Sequence, residues 1–134
     1  MTLSRRAARR TALFLLYQWD VTGQPLTSLY DGPLDEFALE TAEAVAARAP
    51  ELDARITEYA EGWPAERLGA VERNILRIAV HELDGNTALT LDRPSVPPEV
   101  AINEAVELAK RYASDDAARL VNGILGRLVR EHAA

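Results

Sequence analysis

The chain has no cysteine, which removes a disulfide framework, thiolate zinc and a cysteine nucleophile at once. Histidine occurs only as His81 and His132. His81-Glu82 starts like a zinc-peptidase HExxH motif, but the second histidine would fall on Gly85, so that reading fails. Little is left from which to build a histidine pair or a metal cluster. No glycine-rich phosphate loop occurs, and the plentiful carboxylates read as solvated faces and helix caps, with nothing marking a general acid–base pair. Long apolar runs are missing too. Ala12 to Tyr17, the run after the first arginines, ends at Gln18 and Asp20 with no small-residue cleavage site, and nothing approaches the ~18 residues of a membrane span. The expectation is a soluble cytoplasmic protein that is not an enzyme and uses no cofactor or metal.

The charge is unevenly spread. The chain carries a net −6, yet residues 1–10 hold Arg5, Arg6, Arg9 and Arg10 without a single acid. Residues 11–134 therefore carry 11 basic against 21 acidic side chains, a net of −10. An acidic body repels nucleic acid, so any RNA contact should be local, salt-sensitive and helped by a partner.

At 134 residues the chain suits one domain, 1–134, with an N-terminal helical half over about 1–62 and a C-terminal half over about 63–134. Strong helix formers dominate and no period-2 alternation is sustained, so the class is all-α, with about six to seven helices. Ser4 caps a first helix to about Asp20 or Val21, closed by Gly23 and Pro25. A second spans about Leu34 to Ala49, and Pro50 opens a third to about Glu61. The fourth, about Ala65 to Asp84, carries the stripe Leu68, Val71, Ile75, Ile78 and Ala79, widened by Leu76, Val80 and Leu83, and should be central. Gly85 to Pro98 reads as a long, mobile connection. A fifth helix spans about Pro98 to Ala113. Ser114 or Asp115 caps a sixth to about His132, with Ala117, Leu120, Val121, Ile124, Leu125, Leu128 and Val129 as its apolar series. Asn122-Gly123 inside that helix is best read as close approach by a neighbour.

On an ideal helix Arg5, Arg6, Arg9 and Arg10 fall within about 140° of arc and form one basic stripe. Guanidinium groups in that arrangement can reach successive phosphates and stack on unpaired bases. The stripe reads equally well as a solubilising N-terminus or as arginines paired with acids elsewhere in the chain. Behind it, Tyr17 and Trp19 leave room for a partner-facing edge on an otherwise apolar segment. The turn between the last two helices offers Tyr112 for stacking, Arg111 and Arg119 for phosphate, and Asp115 and Asp116 at a helix start. On pattern alone Asp116 reads as structural.

Three segments resemble the NusB family of transcription antitermination factors. They are SRRAARRTALFLLYQW at the start, LGAVERNILRIAVHEL over Leu68 to Leu83, and VAINEAVELAKRYASDDAARLVNGILGRL over Val100 to Leu128. Val21 to Trp63 matches only in length and helical character. The resemblance implies two small helical bundles packed together, and binding of boxA single-stranded RNA in company with the small-subunit ribosomal protein NusE. It also implies action on RNA polymerase, indirectly, during transcription of ribosomal RNA operons. It assigns RNA contact to Arg5, Arg6 and Arg9, to which the stripe adds Arg10, and to Tyr112, Asp116 and Arg119, and NusE contact to Tyr17 and Glu72. The sequence departs from the family at Ala7, where another arginine can stand, at Leu120, where an aromatic can stand, and in a longer Gly85 to Pro98 connection.

Two other readings remain open at this level. One is a relative of the RNA-binding domain of a ribosomal RNA cytosine methyltransferase, whose separate catalytic domain a chain ending at Ala134 leaves no room for. The other is a non-catalytic helical module that forms a homodimer, its apolar partner face covered by a second copy.

Overall fold

A computed structural model describes residues 4–61, 63–85 and 97–133, and these residues form an all-α fold. The helices are α1 (Arg5–Thr22), α2 (Glu36–Ala47), α3 (Ala49–Tyr59), α4 (Ala70–Gly85), α5 (Pro98–Tyr112) and α6 (Asp115–Ala133), with short 3-10 turns at Leu26–Ser28 and Ala65–Arg67. Local chemistry sets most ends. Ser4 Oγ accepts the Ala7 N–H at 3.1 Å, and Asp35 Oδ1 accepts the Ala38 N–H at 3.1 Å. Ser114 Oγ accepts the Ala117 N–H at 3.0 Å, which makes Ser114 the cap of α6. α1 stops at Gly23, whose φ of 72° is left-handed and carries no Cβ penalty. Pro50 and Pro98 sit in the first turns of α3 and α5, where a missing N–H forfeits no bond.

The fourth helix starts later than the sequence predicts. Ala65–Arg67 make a 3-10 turn, Leu68 is extended, and α4 begins only at Ala70. Just before this start the Glu72 carboxylate folds back over Gly69. This places an acid beside the first turn, where the helix dipole favours negative charge.

From there α4 runs through the middle of the molecule and packs against all five other helices. Ile75, Leu76, Ile78, Ala79, Val80 and Leu83 are buried on it. They join one continuous core with Leu13 and Leu16 of α1, Leu52 and Ile56 of α3, Ala105 of α5, and Val121, Leu125 and Leu128 of α6. A polar network is buried in the same place. Asp20 accepts from Arg73 Nε at 2.8 Å, Asn74 Nδ2 at 2.9 Å and Arg77 Nη1 at 3.1 Å. Arg77 also grips Asp53 of α3 with two bonds of 2.7 Å and lies over the Trp19 ring. Burial raises the Asp20 pKa, but hydrogen bonds from Arg73 and Asn74 and the charge of Arg77 outweigh it and hold the carboxyl below its ordinary value.

Two expectations about α6 do not hold. Leu120, counted in the apolar series, is exposed, and Ala118 is buried in its place. Gly123 touches no neighbour, since a Cβ built there meets nothing within 4 Å. It faces open space because the α6 stripe that meets the core runs through Val121, Ile124 and Leu125. The expected mobile connection falls on residues 86–96, outside the described part of the chain.

Candidate nucleic-acid interface

The four N-terminal arginines do not form one stripe. Residues i and i+4 share a face while neighbours differ by about 100°, so they divide into two pairs. On one side, the Arg5 guanidinium lies 4.2 Å from the centre of the Phe37 ring of α2. Arg9, on that same side, turns inward: its Nε donates to Glu82 Oε1 of α4 at 2.6 Å, and both side chains are 6% exposed. Arg9 is thus an interior cation, and the expectation that it lies open to RNA is not what the structure places there.

Arg6 and Arg10 face the other way and line a groove of about 360 Å³ against α5. Lys110 and Arg111 join them, so four cations converge from two helices. Tyr112 and Leu108 supply the apolar part of its wall. The Tyr112 ring is held edge-on by Phe14 of α1, with centroids 5.2 Å apart and planes at 85°, and Arg111 lies 5.6 Å from its centre. Glu104 completes the frame. It accepts from Arg6 Nη2 at 3.0 Å and from Nε at 3.2 and 3.3 Å, and these bonds hold the Arg6 pKa above its ordinary value. Arg6 remains 74% exposed, so the rest of its fork is open to solvent. Such a site can bind phosphate by charge and an unpaired base by stacking.

Asp116 and Arg119 form an exposed ion pair with each other on the first turn of α6. Arg119 also borders a shallower cleft of about 210 Å³ with Tyr59, Glu61, Leu120, Gly123 and Arg127. Glu61 is in left-handed backbone there, at φ 50°, and accepts from Arg127 at 2.7 Å. On α1 the apolar segment is core on one side only. Leu13, Leu15 and Leu16 are buried, whereas Phe14, Tyr17 and Val21 are exposed and make an edge. Trp19, expected on that edge, packs instead against the core beneath Arg77. Glu72, as described, is folded back over the start of α4.

The sequence reading omits Lys110, Glu104 and Phe14. Lys110 stands two places before Tyr112 at a helix end, a signal open to inspection. Glu104 carries none, because its meaning comes from Arg6, 98 positions away.

Comparison with known proteins agrees with this architecture. The NusB family pattern matches residues 6–130. The chain is 43% identical over 129 residues to the transcription antitermination protein NusB of Rubrobacter xylanophilus, covering 92% of this chain and 88% of that one. It is 38% identical over 138 residues to that of Desulfitobacterium hafniense, covering 95% and 88%. Among solved structures it is similar to T. maritima NusB, with a TM-score of 0.79, 33% identity and coverage of 100% and 96%. It is also similar to a chain in a crystal structure of antitermination factors NusB and NusE in complex with dsRNA, with a TM-score of 0.77, 28% identity and coverage of 95% and 96%. No described helix is long and apolar enough to cross a membrane. By sequence pattern, by relatives that align along nearly its whole length and by fold, the chain belongs to the NusB family.

Proposed function

We propose that this protein is a non-catalytic antitermination adaptor that binds boxA-type single-stranded RNA together with NusE and acts indirectly on RNA polymerase transcribing ribosomal RNA operons in the cytoplasm. The observation that carries the reading is the groove where Arg6 and Arg10 of α1 meet Lys110, Arg111 and Tyr112 of α5. Positive charge is gathered there on a protein of net −6, next to an aromatic face. A chain in a NusB–NusE–dsRNA complex shares the fold, which supports RNA and NusE as the partner classes. Arg5, over Phe37 on the other side of α1, offers a separate basic contact, and Asp116 with Arg119 offers another on α6. Arg9 serves as an interior support of α1. Tyr17, with Phe14 and Val21, forms the edge for NusE, and Glu72 contributes at the start of α4. In the absence of NusE the same edge lets two copies pair.

The test is titration of labelled boxA-type RNA with the protein, with and without NusE, at two salt concentrations. Tighter, salt-dependent binding with NusE is expected. Arg6→Ala with Arg10→Ala should weaken it and flatten the slope of log K against log salt by about 1.4, for two phosphate contacts to a single strand. Unchanged affinity and slope in the double variant would remove the groove from the interface. A stable helical dimer with no RNA binding under any condition would leave only the interaction module.

A further inference from the structure

Among the cations of the α1–α5 groove stand two carboxylates, Glu104 and Glu107. A surface made only to hold phosphates gains nothing from acids, because each repels the backbone it faces. Glu104 has a visible task, since it fixes the Arg6 fork. Glu107, one turn along α5, makes no such hydrogen bond among the described residues. It is 66% exposed, and its ion-pair partner Lys110 is 3.9 Å away, beyond hydrogen-bonding distance. Among the described residues its acceptor oxygens therefore stand open, in a groove whose wall includes the Tyr112 ring.

We propose that this groove is a guanosine subsite for single-stranded RNA: the base stacks on Tyr112, Glu107 accepts its N1–H and N2–H, and Arg6, held by Glu104, takes an adjoining phosphate. The proposal rests on the RNA-binding reading above. Guanine is the base whose pairing edge presents two adjacent N–H donors, matching the two oxygens of one carboxylate. Adenine and cytosine set an amino group beside an acceptor nitrogen, which would face the second oxygen. Uracil flanks its one N–H with two carbonyls. A carboxylate thus turns a general phosphate groove into one that rejects the other bases, the usual outcome when a polar site is left unmatched. Glu104 is a positioning residue, acting through Arg6. The volume of about 360 Å³ lies in the range of clefts that hold small molecules, about 300–1,000 Å³.

The experiment is fluorescence anisotropy at one fixed salt concentration, using end-labelled oligouridine of about ten nucleotides with one central guanosine, one central inosine, or neither. Inosine keeps N1–H and lacks the 2-amino group. The wild type should prefer the guanosine oligomer over the other two by about tenfold, the equivalent of one good hydrogen bond. In Glu107→Gln that preference should fall below about twofold, while affinity for plain oligouridine holds or rises as a repelling charge is lost. Equal affinity of the wild type for all three oligomers, or a guanosine preference that survives Glu107→Gln, overturns the subsite and leaves RNA binding standing. No binding of any oligomer by either protein, with NusE or without it, overturns the subsite, and if boxA-type RNA is not bound either, the RNA reading falls with it.

Discussion

Truncating Arg9 to alanine takes the guanidinium from Glu82 and leaves a carboxylate in the interior. Both side chains are 6% exposed, and Glu82 Oε2 is already buried without a hydrogen-bond partner among the described residues. Removing one member of a buried ion pair typically costs about 3–5 kcal/mol, because the other charge stays behind unpaired. A domain of this size has a total stability of about 5–15 kcal/mol, so the loss is a large fraction of it. Urea denaturation followed by circular dichroism should show the midpoint falling by that loss divided by the slope, with the slope itself unchanged. In a thermal melt the same loss is worth about 12–20 °C, at roughly 4 °C per kcal/mol. Arg6→Ala, which removes a guanidinium 74% exposed to solvent, should cost less, on the order of 1 kcal/mol. A control removes both charges: Arg9→Met with Glu82→Leu should recover most of the loss, since an apolar pair of similar volume is often neutral or better. The reasoning fails if Arg9→Ala costs under about 1 kcal/mol and weakens RNA binding as Arg6→Ala does, for Arg9 would then be a surface ligand.

Gly123→Ala should stabilise the protein by about 0.5–1 kcal/mol, because helix propensity improves and a Cβ there meets nothing within 4 Å; a lower melting temperature would show a neighbour not seen in the free chain. Arg48 Nη1 donates to His81 Nδ1 at 2.7 Å, so the ring is neutral, and burial followed by the charge of Arg48 lowers its pKa. The unfolded chain therefore takes up a proton near pH 6.5 that the folded one resists, and stability should fall as pH drops from about 7.5 to 5. His81→Gln should flatten that slope in urea melts across the range, and an unchanged slope would refute the assignment. Asp20→Asn should cost about 1–3 kcal/mol at neutral pH by loosening Arg73 and Arg77. The Asp20 pKa is lowered in the fold, so its contribution is complete above the ordinary value of about 3.9 and is lost as pH falls through the folded one. The gap between variant and wild type should close below about pH 4, and a gap constant down to pH 2 would contradict it.

What could be read from the sequence is what a few neighbouring residues decide. Ser4, Gly23, Pro50 and Ser114 announce helix ends because their effects act within one turn. The central position of α4 follows from an apolar face too wide for a surface helix. The missed features depend on distant partners. Arg6 and Arg9 look equivalent in a periodic plot, and only Glu82, 73 positions on, decides that one of them turns inward. Asp20 would be read as a solvated acid if Arg73, Asn74 and Arg77 were not brought to it. Gly123 misleads in the opposite direction, since a glycine in a helix suggests a close neighbour whether or not one is present.

Phe14 and Tyr112 meet edge to face, and this contact joins two surfaces through one pair of rings. Phe14 is 44% exposed on the same edge as Tyr17, whereas Tyr112 looks into the groove. A protein surface closing over Phe14 would quench the rotamer freedom of both rings before any base arrives. The base would then find its stacking platform already still and lose less entropy in settling on it. Such coupling is reciprocal, so a base seated on Tyr112 would tighten the grip on Phe14 by the same factor.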